Sequence, residues 1–129
     1  MLKIIMIVGL LPVICLAGSF SKQLCKNTDF DCYKTSKGDS WHKLFPNDEQ
    51  RDIVMKVNRT NTKLSNHRYI AIPKNMFWKN LYDFSPVPYN IENTGYAKVI
   101  ISIADHAFGA YDEDGDLVRW GPISAGKGY

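Results

Sequence analysis

The fold is decided by residues 33–73, which read YKTSKGDSWHKLFPNDEQRDIVMKVNRTNTKLSNHRYIAIP. Two parts of this stretch favour β-structure: residues 33–35 form a short candidate strand, and residues 69–72 are mostly β-branched or aromatic. Pro73 closes the second strand, because proline lacks the N–H group that a sheet needs. Strands at both ends of a helix-forming segment predict a compact unit with the order strand, helix, helix, strand.

The two helices of this unit are predicted from their caps and from apolar spacing. Asp39 or Ser40 can cap a helix that begins at Trp41, and a proline five residues later keeps that helix short. Asn47 or Asp48 can cap the next helix, in which apolar side chains recur at helical spacing. An asparagine after the last of these apolar residues marks the end of the second helix.

The chain downstream of this unit changes in character. Residues 74–95 carry two prolines around a valine and predict an irregular linker. A tight turn at Asp114-Gly115 is expected between the last two of three strands, which are predicted at residues 98–103, 107–111 and 117–120. The whole pattern predicts an α+β fold, in which residues 96–129 form a second, mostly β part.

The N-terminus has the pattern of a secretory leader. Lys3 supplies a positive charge, and the next thirteen residues are apolar, fewer than the roughly 20 that a membrane-spanning helix needs. Small residues at positions 15 and 17 predict cleavage after Ala17, so that residues 1–17 are a signal peptide. An uncleaved anchor and a lipoprotein signal through Cys15 are the alternatives. In each case the sequence predicts export, with membrane contact only through this segment.

Two cysteines remain once the leader is removed. Cys25 and Cys32 lie in a polar segment, residues 18–32, with six residues between them. In an oxidising compartment, an isolated pair this close predicts a disulfide that closes a short loop. A metal site is disfavoured because no full ligand set is near, and a nucleophilic role is disfavoured because neither thiol has an adjacent base.

Composition excludes several other classes of protein. The 129 residues carry a formal net charge of only +3 without a run of basic residues, so nucleic-acid binding is not expected. No cofactor motif is complete: residues 121–128, GPISAGKG, resemble a phosphate-binding loop but lack the Ser or Thr that must follow the lysine. Aspartates 112, 114 and 116 alternate as calcium ligands do, but Ile123 occupies the position of the final glutamate. His42, His67 and His106 are isolated in sequence, and no metal site is predicted.

The unit at residues 33–73 resembles a LysM module. The resemblance implies a small βααβ fold that binds N-acetylglucosamine-containing glycans such as peptidoglycan. Trp41 directly after Ser40, and a Leu-Phe-Pro at residues 44–46, depart from the common pattern. The residues that carry the resemblance are Lys37-Gly38-Asp39-Ser40-Trp41, Leu44, Val57-Asn58-Arg59, Asn61, Leu64 and Ile70-Ala71-Ile72-Pro73.

The same resemblance implies the residues of a glycan-binding groove. Gly38, Asp39 and Ser40 are expected on one lip, with Asn61 and Leu64 on the loop opposite. Asn58-Arg59-Thr60 also fits a glycosylation acceptor, but here the asparagine belongs to the LysM-like pattern. Three linker aromatics could stack on sugar rings or pack the two parts of the chain together; they are Phe77, Trp78 and Phe84.

The C-terminal part resembles the beginning of a catalytic domain of the YkuD-type L,D-transpeptidase family. The resemblance rests on a hydrophobic strand at 98–103, an aromatic strand that ends in Tyr-Asp, an Asp-Gly turn, and Pro-Ile-Ser-Ala-Gly-Lys at 122–127. The combination of Trp120-Gly121-Pro122 with a LysM-like unit earlier in the chain resembles the enhanced-entry proteins of bacteria. The family cross-links peptidoglycan.

The family chemistry uses a cysteine thiolate, activated by a histidine, in a Ser-His-Gly-Cys segment. This sequence contains no such segment, and neither Cys25 nor Cys32 lies at a comparable position. The expectation is therefore a chain that is truncated before the catalytic residues and is inactive as a transpeptidase.

These observations predict an exported peptidoglycan-associated protein of the periplasm or cell envelope, limited to wall binding. The alternatives are a host-cell adhesion and uptake factor of the enhanced-entry type, or the product of a broken gene.

Overall fold

The computed structural model describes residues 20–123. The predicted leader, and Gly126 and Lys127 at the end of the C-terminal motif, lie outside the described residues. Short helices accompany two antiparallel sheets, and the α+β class is confirmed. The elements are α1 (Phe20–Leu24), β1 (Phe30–Lys34), α2 (Trp41–Leu44), α3 (Asp48–Val57), β2 (Tyr69–Pro73), β3 (Lys98–Ser102), β4 (Ala107–Tyr111) and β5 (Leu117–Pro122), with 3₁₀ helices at Leu64–Asn66, Met76–Trp78 and Leu81–Phe84.

The first sheet pairs β1 with β2 and has the predicted strand, helix, helix, strand order between its ends. Strand β1 begins at Phe30, three residues earlier than predicted, because Phe30 pairs with Pro73 and packs against the core. The proposed boundary between residues 32 and 33 therefore falls inside a strand. One apolar core lies between this sheet and the helices; it consists of Trp41, Phe45, Ile53, Val54, Val57, Leu64, Ile70 and Met76.

The helix caps follow the sequence. The Ser40 hydroxyl accepts a hydrogen bond from the backbone N–H of Lys43, and the Asn47 side chain accepts one from the N–H of Gln50. Each cap satisfies an N–H group that has no partner within its own helix. The caps set where α2 and α3 begin, and hence how the chain turns around the core.

Helix α1 was not predicted, since its segment is polar. Its Ser21 is buried and Leu24 packs against the core, so the segment lies against β2. Cys25 and Cys32 are joined by a disulfide with 5.0 Å between their Cα atoms, the pairing expected from their spacing. The disulfide connects the end of α1 to the middle of β1, and thereby makes residues 20–32 part of the first unit.

Helix α3 ends in a Schellman motif, which fixes the direction of the following loop. The N–H of Thr60 bonds to the carbonyl of Met55 at 3.0 Å, and the N–H of Arg59 bonds to the carbonyl of Lys56 at 3.0 Å. Arg59 occupies the left-handed position of this motif, with φ 55°. Glycine is the usual residue there because it has no Cβ to clash, so an arginine must be held by other contacts.

Asn58, the cap residue of α3, is buried and connects this helix to β2. Its amide group donates hydrogen bonds to the carbonyls of Val54 and Ala71, each at 2.7 Å. Its side-chain oxygen accepts the backbone N–H of Ala71 at 2.8 Å. Ala71 pairs with Cys32 of β1. One side chain therefore satisfies both backbone groups of Ala71 and completes the edge of the sheet.

The second sheet is a meander with the order β3-β4-β5. Strand β4 has the predicted bounds, whereas β5 continues to Pro122 because Ala107 and Phe108 pair with Pro122 and Gly121. The predicted turn forms between β4 and β5, where Gly115 has φ 88° and its carbonyl accepts the N–H of Ile91 at 2.9 Å. The backbone of Ile91 lies where a Cβ on this glycine would stand, so only glycine fits there.

The segment predicted as an irregular linker, residues 74–95, contains two 3₁₀ helices, is hydrogen-bonded to the second sheet and packs against the first unit. The indole N–H of Trp120 donates to the carbonyl of Leu81 at 2.9 Å, and the hydroxyl of Tyr111 donates to the carbonyl of Pro88 at 2.8 Å. Leu81 also packs against the core of the first unit. The irregular segment covers one face of β4 and β5.

Arg59 joins the two units directly. Its Nε donates to the carbonyl of Asp105 at 2.7 Å, and its guanidinium lies 4.8 Å from the ring centre of Phe20 and 5.4 Å from that of Trp120. Burial lowers the pKa of Arg59 to about 10, although the Asp105 charge favours the protonated form. The side chain stays charged at neutral pH, and its contacts with α1, α3 and the second sheet hold the left-handed backbone in place.

Across residues 20–123, no helix combines the length and apolar character that a membrane crossing requires.

Replacing Asn58 tests its role at the sheet edge. Asn58→Ala leaves the N–H and C=O of Ala71 buried without partners, so the free energy of unfolding should fall by about 2–4 kcal/mol. Urea unfolding followed by circular dichroism measures this change. Asn61→Ala is the matched control, because Asn61 is exposed, and its effect should stay within about 0.5 kcal/mol. Equal stability of the two variants would contradict this role.

Candidate functional site

A shallow groove crosses the surface of the first unit between the turn before α2 and the Leu64–Asn66 helix. It consists of two adjoining cavities of about 250 and 320 Å³, and Asp39, Leu64 and Ser65 line both of them. The first cavity is completed by residues 35–38. The second is completed by Ser40, Trp41, His42, Arg51, Met55 and Lys63.

The turn on one side of the groove is fixed by Asp39. Its carboxylate accepts hydrogen bonds from the backbone N–H of Ser36 and from the hydroxyl of Tyr33, both at 2.8 Å. Gly38, which lies between Ser36 and Asp39 in the chain, has φ 90°, a backbone conformation that glycine adopts without strain. The hydrogen bond from the Ser36 N–H, and after it the one from the Tyr33 hydroxyl, lower the pKa of Asp39 below its ordinary 3.8. The hydrogen bond between Tyr33 and Asp39 also raises the pKa of Tyr33. At neutral pH, Asp39 is therefore a fixed negative charge that holds the turn together.

The opposite side is built on Leu64, which is buried in the core while its neighbours Lys63 and Ser65 are exposed. The loop that leads to it is held by Trp41, whose indole N–H donates to the carbonyl of Thr62 at 2.8 Å. A core tryptophan at the start of α2 thus determines where the Leu64 side of the groove lies.

His67 supports this loop from behind. Its Nε2 lies 2.8 Å from the hydroxyl oxygen of Thr60 and 3.2 Å from that of Thr62, and its ring centre is 6.1 Å from that of Trp41. Partial burial lowers the pKa of His67 below 6.5, because a charged ring would lose solvation there. The neutral form is favoured, and it accepts or donates one hydrogen bond without adding charge.

The structure brings together four of the five residues predicted for glycan binding. Gly38, Asp39, Ser40 and Leu64 line the groove, whereas Asn61 is exposed and lines neither cavity. Asn61 follows directly after the Schellman motif of α3, where the chain changes direction before it reaches Leu64.

Several lining residues were missed by sequence reasoning. Arg51 and Met55 are four residues apart on α3 and so share one face of that helix, a spacing that could have been recognised. Lys63 and Ser65 flank Leu64, which was predicted, and they could have been inferred as its neighbours in the chain. Trp41 was recognised as the start of α2 and as part of the LysM-like motif, but not as a residue of the groove.

The groove presents both polar and apolar groups. Serine hydroxyls, backbone groups and a carboxylate can bond to hydroxyl and amide groups, and the side chains of Leu64 and Met55 offer apolar contact. Residues 20–123 contain no group of three or more His, Cys, Asp or Glu side chains that could hold a metal. Within that range, Cys25 and Cys32 are bonded to each other, so neither offers a thiolate nucleophile.

The three linker aromatics have different surroundings. Phe84 packs against the core, but Phe77 and Trp78 are 70% and 88% exposed. The alternative that these aromatics pack the two parts of the chain together was therefore wrong for Phe77 and Trp78. Neither residue lines the groove, and any sugar stacking by them would occur at a separate surface.

Comparison of the chain with protein-family models, curated proteins and solved structures found no match. The resemblance to LysM modules and to L,D-transpeptidases therefore rests on the motif residues themselves.

The pKa of His67 predicts how stability changes with pH. Because the folded-state pKa is lowered, the unfolded chain binds more protons, and stability should fall as the pH drops below 6.5 through the folded pKa. Urea unfolding between pH 8 and pH 5 measures this decline. His67→Gln should make stability flatter in this window, while His42→Gln, at an exposed position, should keep the decline. The same slope in both variants would contradict the assignment.

Proposed function

We propose that this chain is an exported, peptidoglycan-associated protein whose groove binds N-acetylglucosamine-containing glycan. The observation that carries the proposal is the position of Gly38, Asp39 and Ser40 across a groove from Leu64 and Ser65. These are the two sides on which the LysM resemblance expects sugar contacts. The order of elements around them is also the one that the resemblance implies.

The groove has the mixed polarity that a sugar chain requires. N-acetylated sugars present hydroxyl and amide groups at their edges and C–H groups on their faces, so both hydrogen-bonding and apolar groups are needed. Ser36, Ser40 and Ser65 supply polar groups, and Leu64 and Met55 supply apolar ones.

Charge in the groove suits an anionic wall polymer. Lys37 lies on one side and Lys63 on the other, and Asp39 is the single lining carboxylate; Arg51 also lines the second cavity, but its guanidinium is paired with Asp48. The excess of positive charge favours the carboxylates of peptidoglycan stem peptides over neutral glycans, and the preference should weaken with salt.

Two features support export. The leader pattern at residues 1–17 directs the chain out of the cytoplasm, and the Cys25–Cys32 disulfide is stable in an oxidising compartment. Both favour the periplasm or another part of the cell envelope. In this proposal the chain contributes wall binding, and the cross-linking reaction belongs to the family that it resembles.

Blocking the groove tests the proposal. Ser65→Tyr fills the region shared by the two cavities, and should reduce co-sedimentation with isolated peptidoglycan sacculi about tenfold or more, a loss of roughly 1.4 kcal/mol. Asn66→Tyr places the same side chain on the neighbouring exposed residue outside the cavities, and should bind as the parent chain does. The binding assay uses chain purified from the periplasm of a bacterial host. Absence of the chain from the periplasmic fraction would contradict export.

Two outcomes would contradict glycan binding by the groove. The first is a parent chain that stays in the supernatant with sacculi. The second is normal binding by Ser65→Tyr together with lost binding by Trp78→Ala, which would place the sugar contacts on the exposed turn at Phe77 and Trp78.

A further inference from the structure

Strand β3 is an edge strand with an unusual number of exposed apolar side chains. It pairs with β4 on one side, and within residues 20–123 no strand pairs with its other side. Val99 is 63% exposed, Ile101 60% and Ile100 39%. Edge strands carry unpaired N–H and C=O groups, so a long apolar edge is a surface prepared for another strand.

The usual protection of such an edge is missing from β3. The strand contains no proline and no bulge in its pairing with β4, and Lys98 at its start is its only charged residue. By contrast, the inner strand β4 is covered by the linker, which contacts Gly109 through Val87 and Tyr111 through Pro88. The apolar exposure is therefore concentrated at the outer strand of this sheet.

We propose that β3 pairs antiparallel with β3 of a second copy of the chain, so that two three-stranded sheets become one sheet of six strands. A two-fold axis at Ile100 places this residue opposite its own copy. Val99 then lies opposite Ile101 of the second copy, and Ile101 opposite Val99. Four branched apolar side chains meet on one face of the combined sheet, and such cross-strand pairs stabilise sheets.

Charge favours a second copy in this register. Lys98 falls opposite Ser102, so the two lysines do not face each other. The hydroxyl of Ser102 donates to the carboxylate of Asp105 at 2.6 Å, which brings a negative charge near the position that Lys98 of the second copy occupies. Each end of the paired strands therefore combines opposite charges, and the contact closes as a dimer because both copies use the same surface.

Charged variants at the axis test this pairing. Ile100→Lys and Ile100→Glu each place two like charges opposite each other, so both should be monomers in sedimentation equilibrium, where the parent chain has twice the monomer mass. An equimolar mixture of the two variants should recover the doubled mass, because unlike charges then meet. Val118→Lys is the matched control: this residue is 51% exposed on β5, and the variant should remain a dimer.

Circular dichroism of each variant shows that it is folded, so that a loss of mass is not a loss of structure. A parent chain that stays monomeric at its highest soluble concentration would overturn the proposal. So would a mass that rises continuously beyond two copies, or folded Ile100 variants that fail to associate when mixed.

Discussion

The carboxamide of Asn58 takes the place of a neighbouring strand at the edge of β2, and much of the described structure depends on it. It bonds to both backbone groups of Ala71 and to the last turn of α3, so the helix and the sheet cannot move apart without breaking buried hydrogen bonds. The Schellman motif follows immediately and directs the chain into the loop that carries Leu64. Asn58 thus helps to set the geometry of the groove, although it does not line it.

Arg59 extends this arrangement to the second sheet. A left-handed arginine costs backbone energy that glycine would not, and its side chain offsets this by contacts with Phe20, Trp120 and the carbonyl of Asp105. The linker adds hydrogen bonds from Trp120 and Tyr111. Two parts that the sequence separates are in this way connected through partly buried polar contacts, while β3 lies beyond the linker and keeps its apolar side chains exposed.

Local signals in the sequence were sufficient for most elements. The caps at Ser40 and Asn47 and the turn at Gly115 depend on residues close in the chain, and these predictions were confirmed. Features that depend on distant partners were missed: α1 is held by burial against β2, and the linker is ordered by Trp120. For the groove, the motif resemblance named Gly38, Asp39, Ser40 and Leu64, which line the two cavities, and Asn61, which lines neither because its position depends on how the chain turns after α3.

Nuclear magnetic resonance of the ¹⁵N-labelled chain, titrated with a soluble N-acetylglucosamine oligomer, tests the central claim most directly. Ligand in the groove should shift the backbone amides of Gly38, Asp39 and Ser65, because they lie along its two sides. The amides of Phe77 and Trp78 should stay unchanged, since they belong to a different surface. Shifts confined to Phe77 and Trp78, or no shifts with an oligomer long enough to span the groove, would contradict glycan binding by this site.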